Sequence, residues 1–469
     1  MMKSFRFKPG SYSGYVTRPS ISSDDELTRV GPKTPCGEYL RRYWHPVSLA
    51  GELGKRPLAL RILGEDLVLF RDRSDQLGLV HRHCPHRGSS LEFGRCEERG
   101  IRCCYHGWHF DVDGTLLDAP GQPAGLIERL KRKIQLGAYP VLEYKDLIFA
   151  YLGPVEEMPE FPVFDAMTFE DMTMVPYKAP FNCNWLQVLD AILDPLHTSF
   201  LHSRIGRVQF SEGFGELGQM DFFERSGFLL GINTRRIGDN IWLRINELVM
   251  PNFTQAGSAF AADGSQVRYY GRSSFTRWVV PLDDENTICF AWANFGERGD
   301  PLAWNTPEGP ELIEQGELFE RSYEERQRSP ADIEAVEGMG PIAVHDNENL
   351  VISDKGIALM RRLLRDQIRL LASGGPPLRA RANSFGTIPT YGGDTVLRMP
   401  RESADSEAEE LSALAHRFME IQYQVDDLAE TDRILGVTES LKALEAAGMG
   451  QIDPDTTPRN PAHKADQET

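Results

Sequence analysis

The sequence predicts an α+β protein in two successive parts: an all-β first part, then a part with an antiparallel sheet and packed helices. Residues 58–70, LALRILGEDLVLF, indicate two strands around a Gly-Glu-Asp turn, and short strands continue to about Leu152. Residues 220–300 return to strands, while residues 311–337 and 354–372 look helical. Strands first, followed by a mixture of strands and helices, favour two packed units.

The chain of 469 residues is long for one core. It divides into five predicted segments: an N-terminal segment that packs on the body (1–40), the all-β domain (41–155), the α+β domain (156–400), a C-terminal helical extension (401–449) and a disordered tail (450–469). The apolar side of the extension is expected to cover the protein's own core rather than contact another subunit. That side comprises Leu411, Leu414, Phe418, Ile421 and Leu428.

The composition limits the class of protein and its compartment. A net charge of −18 argues against a nucleic-acid or anionic-membrane surface, and no apolar run has the ~18 residues of a membrane span. The first residues contain no apolar segment of a secretion signal, so we expect a cytoplasmic protein. The seven cysteines are an odd number, and in a reducing compartment they are expected to bind metal rather than form disulfides.

Two short motifs bring cysteine and histidine together. CPHRG contains Cys84 and His86. After sixteen intervening residues come the adjacent pair Cys103 and Cys104 and then His106. Choosing Cys103 gives C-x-H and then C-x-x-H, whereas choosing Cys104 gives C-x-H twice. Two loops that each present one thiolate and one imidazole suit a two-iron cluster in which one iron takes both sulfurs and the other both nitrogens.

Two other interpretations of these cysteines exist. Four such ligands could hold structural zinc, although zinc fingers mostly place two cysteines before two histidines. A disulfide between Cys96 and Cys104 is also possible, but a reducing compartment disfavours it.

CPHRG followed by CxYHGW resembles the Rieske [2Fe-2S] domains of aromatic-ring-hydroxylating oxygenases. The resemblance implies a Rieske cluster, with Cys104 at the position where the family usually has proline. The implied cluster ligands are Cys84, His86, Cys103 and His106.

The stretch NWLQVLDAILDPLHTSFLH, residues 184–202, contains the pattern D-x-x-H-x-x-x-x-H formed by Asp194, His197 and His202. Its apolar spacing predicts a helix that is interrupted or bent at Pro195. Two histidines and one carboxylate can occupy one face of Fe(II) and leave positions for dioxygen and water. Five residues turn a regular helix by about 500°, so the histidines share a face only if the helix ends or bulges between them. Packing of both histidines in an apolar helix is the alternative.

This block resembles the NWxxxxE/D and DxxHxxxxH motifs of the same family, in which the two histidines bind a mononuclear iron. By that resemblance Asp194 is a bridge for electrons, and Asp190 stands where the family often has glutamate. The third ligand is expected at Asp332, since PADIEAVEGMGPI, residues 330–342, fits the pattern D-x-x-x-x-E-x-M-G-P-I. Helix capping by Asp332 is the alternative, with Glu334 and Glu337 as the other candidate ligands.

The resemblance covers roughly residues 35–400 and implies a helix-grip (Bet v1/START-like) catalytic domain with a mononuclear non-haem iron. The sequence is similar in its pattern to the oxygenase (alpha) subunits of phthalate dioxygenase and 5,5'-dehydrodivanillate O-demethylase. That similarity implies a homotrimer or hexamer with head-to-tail contacts. In such a ring His106 would hydrogen-bond to Asp194 of the next subunit, and Asp194 would also reach His197.

Two further motifs are not expected to bind anything. GFGELG, residues 213–218, matches G-x-G-x-x-G but follows no clear buried strand, so dinucleotide binding is disfavoured. Electrons would then come from a separate NAD(P)H-dependent reductase or ferredoxin. The helix RRLLRDQIR could bind such an acidic partner, but a solvated helix face is the preferred interpretation. Its arginines are Arg361, Arg362, Arg365 and Arg369.

The expected function is oxidation of an aromatic compound with O2, favouring O-demethylation with formaldehyde release. The substrate is expected to carry a carboxylate, for which His345 and Arg207 are candidate partners. Ring cis-dihydroxylation is the rival outcome, because fold and metals do not separate the two. A Rieske electron-transfer protein without oxygenase activity and a zinc-stabilised ligand-binding protein are the alternatives from other classes.

Overall fold

The computed structural model describes residues 22–202, 212–257, 264–296, 321–401 and 407–448. Arg207, the tail at 450–469 and residues 311–320 of one predicted helix lie outside these ranges. Every strand pair within them is antiparallel.

The first part of the chain is built from three small sheets, ordered β1-β11-β10, β2-β3-β4-β9 and β5-β6-β7-β8. Alternating apolar residues and tight turns produce these short strands. One helix, α3 (Ala124–Lys131), interrupts the predicted all-β pattern. The strands are β1 (Trp44–Leu49), β2 (Leu58–Ile62), β3 (Glu65–Arg71), β4 (Leu77–His81), β5 (Arg95–Cys96), β6 (Ile101–Arg102), β7 (His109–Phe110), β8 (Leu116–Asp118), β9 (Ala138–Tyr139), β10 (Val141–Tyr144) and β11 (Leu147–Tyr151).

The second part is organised by one eight-stranded sheet. Seven strands follow the order β12-β18-β17-β16-β15-β14-β13, and the eighth, β19, pairs with β15. Its strands are β12 (Thr173–Phe181), β13 (Gln219–Arg225), β14 (Phe228–Ile237), β15 (Asn240–Val249), β16 (Phe253–Ala256), β17 (Phe275–Pro281), β18 (Thr287–Phe295) and β19 (Gly393–Arg398). The predicted order of an all-β part and then an α+β part is confirmed.

Short helices pack around this sheet. They are α4 (Trp185–Asp190), α5 (Pro195–Leu201), α6 (Tyr323–Arg328) and α7 (Asp332–Glu337). The single helix predicted at 311–337 is therefore divided, because Ser322 starts α6 with a capping box and Pro330 stands before α7.

The long helix α8 (Lys355–Ala372) lies against the N-terminal helices α1 (Asp25–Thr28) and α2 (Pro35–Leu40). Its four arginines form ion pairs with carboxylates of the same chain. Arg362 and Arg369 remain exposed, as a solvated helix face predicts, whereas Arg361 is buried and departs from that prediction. Arg361 is only 6% exposed. The ion pairs join Arg361 to Asp190 and Glu348, Arg362 to Glu224, Arg365 to Asp24 and Arg369 to Glu26.

The C-terminal extension forms two helices, α9 (Glu407–Gln424) and α10 (Glu430–Ala447), and α9 packs on β13 and β14. The expected apolar side is buried in the main core except for Leu428, which is 41% exposed because it lies between the two helices. Buried Arg433 of α10 forms an ion pair with Asp165, which also pairs with Arg272. No described helix is both long and apolar enough to cross a membrane.

Candidate metal centres

The two Cys-His motifs form neighbouring loops at the small sheet β5–β8. Cys84 and Cys103 are buried, and their thiols are hydrogen-bonded to each other. His86 and His106 are exposed, with ring centroids 4.6 Å apart. The two sulfurs therefore lie inside the domain and the two imidazoles at its tip, an arrangement that could hold the sulfur-bound and the nitrogen-bound iron of one cluster.

The backbone of the two loops repeats. The N–H of Gly88 donates to the Cys84 carbonyl (2.9 Å), and the N–H of Gly107 donates to the Cys103 carbonyl (3.1 Å). Both glycines have positive φ, +77° and +71°, which only glycine adopts without strain. Cys103 thus takes the same place as Cys84, while Cys104 is exposed with its sulfur 3.9 Å from the Ser89 hydroxyl. This repeat favours Cys103 as the second cysteine ligand.

The surroundings of the thiols fit a bound cation. Burial raises the pKa of Cys84 to about 11, although N–H groups of His86 and Arg87 donate to its sulfur and oppose that shift. A buried pair of thiols is readily deprotonated only when a metal compensates the charge. All seven cysteines are free, including Cys96 and Cys104, so the disulfide alternative is wrong.

Trp108 fixes one of the imidazoles. Its ring stacks on His86 at 4.6 Å with an interplanar angle of 5°. Trp108 is buried, and its carbonyl accepts a 2.8 Å hydrogen bond from the Cys103 N–H. The stacking of Trp108 on His86 was not predicted from the sequence, although the tryptophan belongs to the second motif.

The second constellation depends on a break in the helical stretch 184–202. Asn184 caps α4, and its side chain accepts from the Leu186 N–H at 3.1 Å. A short helical turn leads to Asp194, whose carboxylate caps α5 by accepting from the N–H groups of Leu196 and His197. Pro195 occupies the first position of α5, where its missing N–H costs nothing. The predicted interruption at Pro195 is confirmed.

Helix α5 ends between the two histidines, because His202 is its C-cap. The rings of His197 and His202 consequently meet, with centroids 5.3 Å apart. The Nδ1–H of His197 donates to the Asp194 carbonyl, which leaves Nε2 as the nitrogen with a free lone pair. The helix period required α5 either to end or to bulge between the two histidines. The structure shows that it ends there.

Asp332, at the start of α7, completes the cluster. Its Oδ1 lies 3.5 Å from His197 Nε2 and 3.1 Å from His202 Nε2, and one ligand atom from each of the three residues lies within 4.8 Å of the others. Burial alone would raise the pKa of Asp332, but the hydrogen bond and charge of His202, with the charges of His197 and Arg277, lower it well below its usual range. The carboxylate is thus ionised and could bind a cation together with two neutral imidazoles.

The other candidate carboxylates have different partners. Glu334 binds Arg321 and Arg326, and Glu337 accepts from the backbone and side chain of Asn182. Asp190 is buried against Arg361, and burial raises its pKa to about 6.

His345 lies beside the N-terminal segment, where its Nδ1 accepts from the Asp24 N–H at 3.1 Å. The structure therefore does not bring it into the three-residue metal cluster. GFGELG includes a short helical turn at Glu212–Gly215 and leads into β13.

One face of the large sheet is turned toward the metal cluster. Asn246 of β15 donates to the Ile192 carbonyl beside α5, and cross-strand partners share a face, so Ala256, Phe275 and Arg277 lie on the same side. Arg277 was not singled out from the sequence. Its Nε donates to the Thr254 hydroxyl at 3.1 Å, and its charge acts on Asp332.

Two such constellations, one of thiolates and imidazoles and one of imidazoles and a carboxylate, define the class of metal-dependent oxidoreductases. Residues 43–140 match the family model of the Rieske [2Fe-2S] domain.

Two curated relatives align along almost the whole chain. The tert-butanol monooxygenase / tert-amyl alcohol desaturase oxygenase subunit of Aquincola tertiaricarbonis is 40% identical, over 93% of this chain and 97% of that protein. The 5,5'-dehydrodivanillate O-demethylase oxygenase subunit of a Sphingobium species is 31% identical, over 92% of this chain and 99% of that protein. Dicamba monooxygenase bound to dicamba has a similar fold, with a TM-score of 0.53 at 18% identity over 72% of this chain and 99% of that chain.

The chain belongs to the Rieske non-haem iron oxygenases, as an oxygenase subunit. It is an oxidoreductase that uses a Rieske [2Fe-2S] cluster, a mononuclear non-haem iron and O2. The expected family, fold and cofactors are confirmed.

The repeat of the two loops predicts different effects for the adjacent cysteines. Cys103→Ser is expected to abolish the Rieske absorption and to lower iron and sulfide to the level of a Cys84→Ser variant. Cys104→Ser should keep the spectrum and the iron content of the wild type, because its thiol is exposed. Visible absorption, electron paramagnetic resonance and sulfide analysis of the purified variants test this, and a colourless Cys104→Ser protein would contradict it.

Proposed function

We propose that the chain oxidises an aromatic acid by monooxygenation of a methyl carbon, with O-demethylation of a methoxy group as the outcome. The observation that carries the proposal is the cluster of His197, His202 and Asp332 beside the inner face of the large sheet. Two imidazoles and one carboxylate leave the remaining positions of Fe(II) for dioxygen and for water that the substrate displaces.

In this proposal each protein group has a defined task. Cys84, Cys103, His86 and His106 would hold the cluster, and the three residues above would hold the iron. When bound, these groups supply single electrons and the activation of dioxygen. The Asp194 carbonyl fixes His197 by accepting from Nδ1–H, so that Nε2 faces Asp332.

The activities for which the two relatives are named support oxygenation at saturated carbon. tert-Butanol contains only saturated carbon, and removal of an O-methyl group proceeds through hydroxylation of its methyl carbon. In that reaction one atom of O2 enters the C–H bond, and the other leaves as water with two electrons and two protons. The hydroxylated methyl group then leaves as formaldehyde and the ring keeps a phenol.

Arg277, on the face of the large sheet that is turned toward the metal cluster, supports the proposal of an anionic substrate. Arg277 is partly exposed, its ring neighbour Phe275 lies 4.8 Å from the guanidinium carbon, and no described carboxylate forms an ion pair with it. Guanidinium groups bind carboxylates through two parallel hydrogen bonds. We therefore assign to Arg277 the carboxylate of the aromatic acid, in place of His345.

We also propose that electrons come from a separate reductase or ferredoxin and pass between subunits of a homotrimer or hexamer. Both ends of that route are open in the single chain: Tyr105 beside His106 is 58% exposed, and Phe200 of α5 is 43% exposed. In the described part of the chain, no hydrogen bond or ion pair joins the two Cys-His loops to residues 194–202. A closed ring of head-to-tail contacts would bring the two ends together.

An electron-transfer Rieske protein is the alternative from another class. It requires no metal beyond the cluster, so it leaves the convergence of His197, His202 and Asp332 unexplained. Ring cis-dihydroxylation uses the same metals, so only the product distinguishes it from O-demethylation.

The proposed reaction predicts formaldehyde. Chemically reduced protein exposed to air with methoxybenzoic acids should give formaldehyde and the matching phenol in about equal amounts after one turnover. The same acids without the methoxy group are the control. A diol from those acids would contradict monooxygenation and assign ring dihydroxylation.

Arg277→Met is expected to raise KM for the carboxylated substrate by roughly 10- to 100-fold, since a charge-assisted hydrogen bond contributes about 1.5–3 kcal/mol. The primary amide of the same acid should lose much less, because it carries no charge. Steady-state kinetics with acid and amide measure this. Equal losses for both compounds would remove the assignment of Arg277.

Asp194 is predicted to be needed for turnover but not for metal binding. Asp194→Ala would also remove the cap of α5, at a cost of about 1 kcal/mol, so Asp194→Asn is the better variant because asparagine caps equally well. Both metals should remain while steady-state turnover falls by roughly tenfold or more, because asparagine lacks the charge with which the Asp194 carboxylate would accept the hydrogen bond from His106 of the next subunit. Turnover like that of the wild type would exclude Asp194 from the electron route.

A further inference from the structure

Gln187 joins the two segments that carry the ligands of the proposed iron site. It lies on α4, seven residues before Asp194, and is 2% exposed. Its side-chain amide donates to the carbonyls of Val336 (2.8 Å) and Gly340 (3.0 Å) and accepts from the N–H of Ala343 (2.9 Å). One buried side chain on the histidine segment thus satisfies three backbone groups on the aspartate segment.

Two contacts at the start of α4 also join it to the α7 segment: Glu337 accepts from Asn182, and the Asn184 N–H donates to the Pro341 carbonyl at 2.8 Å. Ile333 and Val336 are buried in apolar surroundings, which resist separation more than sliding. Glu334 binds Arg321 and Arg326 of the preceding segment, so those ion pairs move with α7. Hydrogen bonds are directional, so the three at the buried Gln187 amide, together with those of Asn182 and Asn184, define the register between the segments.

The geometry makes this register important for the metal ligands. Helix α7 has six residues, which is about 9 Å of helix, so a tilt of about 5° around its C-terminal end moves Asp332 by roughly 0.8 Å. Metal–ligand distances must hold within about 0.2 Å. A tilt of that size, caused by loss of the Gln187 contacts at the C-terminal end of α7, would therefore displace Asp332 by more than metal binding tolerates.

We infer that Gln187 is a positioning residue that sets the separation between Asp332 and the pair His197 and His202. It acts through α7 and touches neither metal nor substrate. The inference rests on the proposed iron site. It adds to that site a residue that links the segment with His197 and His202 to the segment with Asp332.

Gln187→Met tests the inference, with Asn252→Leu as the matched control. Both changes remove a buried amide without changing the length of the side chain. Asn252 is 1% exposed and donates to the Val279 carbonyl and to His45, away from the metal cluster. Both variants should unfold at lower urea concentration than the wild type, so a loss of stability alone does not distinguish them.

The distinguishing measurement is the affinity of the full-length holoprotein for Fe(II), determined by competition with a chelator while the Rieske absorption reports an intact cluster. Gln187→Met should bind Fe(II) about 10- to 100-fold more weakly, the range for groups that orient metal ligands, and Asn252→Leu should stay within about twofold. The nitric oxide adduct of the iron should also change its electron paramagnetic resonance signal only in Gln187→Met. Fe(II) affinity and signal like those of the wild type would overturn the inference.

Two further variants keep the outcome interpretable. Gln187→Glu keeps the length and replaces both N–H donors with acceptors that face carbonyls, so it should weaken Fe(II) binding even if Gln187→Met does not fold; undiminished binding would overturn the inference. Asp332→Ala tests the site itself. Loss of Fe(II) in Asp332→Ala with normal binding in the Gln187 variants would reject only the role of Gln187, whereas retained Fe(II) in Asp332→Ala would reject the proposed site.

Discussion

The catalytic half of this protein depends on where one helix begins and ends. Asp194 and Pro195 start α5 after a break, and His202 is the C-cap. In an uninterrupted helix the step of five positions from His197 to His202 would turn about 500°, and the two rings would point in different directions. The break also frees the Asp194 carbonyl to accept from His197, so the feature that brings the rings together fixes the tautomer of one.

Buried charge connects the termini of the chain to this half. Asp190 is the last residue of α4, four residues before Asp194, and pairs with Arg361 of α8, which is itself packed on the N-terminal helices. At the other end, Arg433 brings the C-terminal helices to Asp165. Breaking a buried pair costs about 3–5 kcal/mol because one charge is left without a partner. The segments outside the two domains thus stabilise the position of α4 and of the large sheet.

Local patterns predicted the strands and the interrupted helix, because each depends on spacing within about twenty residues, whereas the eight metal-motif residues were proposed from the resemblance to family motifs. The division of 311–337 and the exposure of Leu428 were missed, since both depend on where short helices end. Pairings between distant segments had no local signal at all. Arg361, Gln187 and Arg277 obtain their partners only when the chain folds, and nothing in the sequence distinguishes them from other polar residues on helices and strands.

The proposed cluster ligands differ in burial, and this difference indicates which side of the cluster would face an electron acceptor. Buried Cys84 and Cys103 place the sulfur side inside the domain, while exposed His86 and His106 place the nitrogen side at the surface. In the proposed cluster, neutral imidazole ligands would raise the reduction potential, and the exposed histidines would form the edge through which an electron is exchanged. Asp194 is also partly exposed, with 27% of its side chain accessible. A donor and an acceptor that both face solvent require a second molecule between or beside them, and in the proposed ring another subunit of the same chain would supply both surfaces.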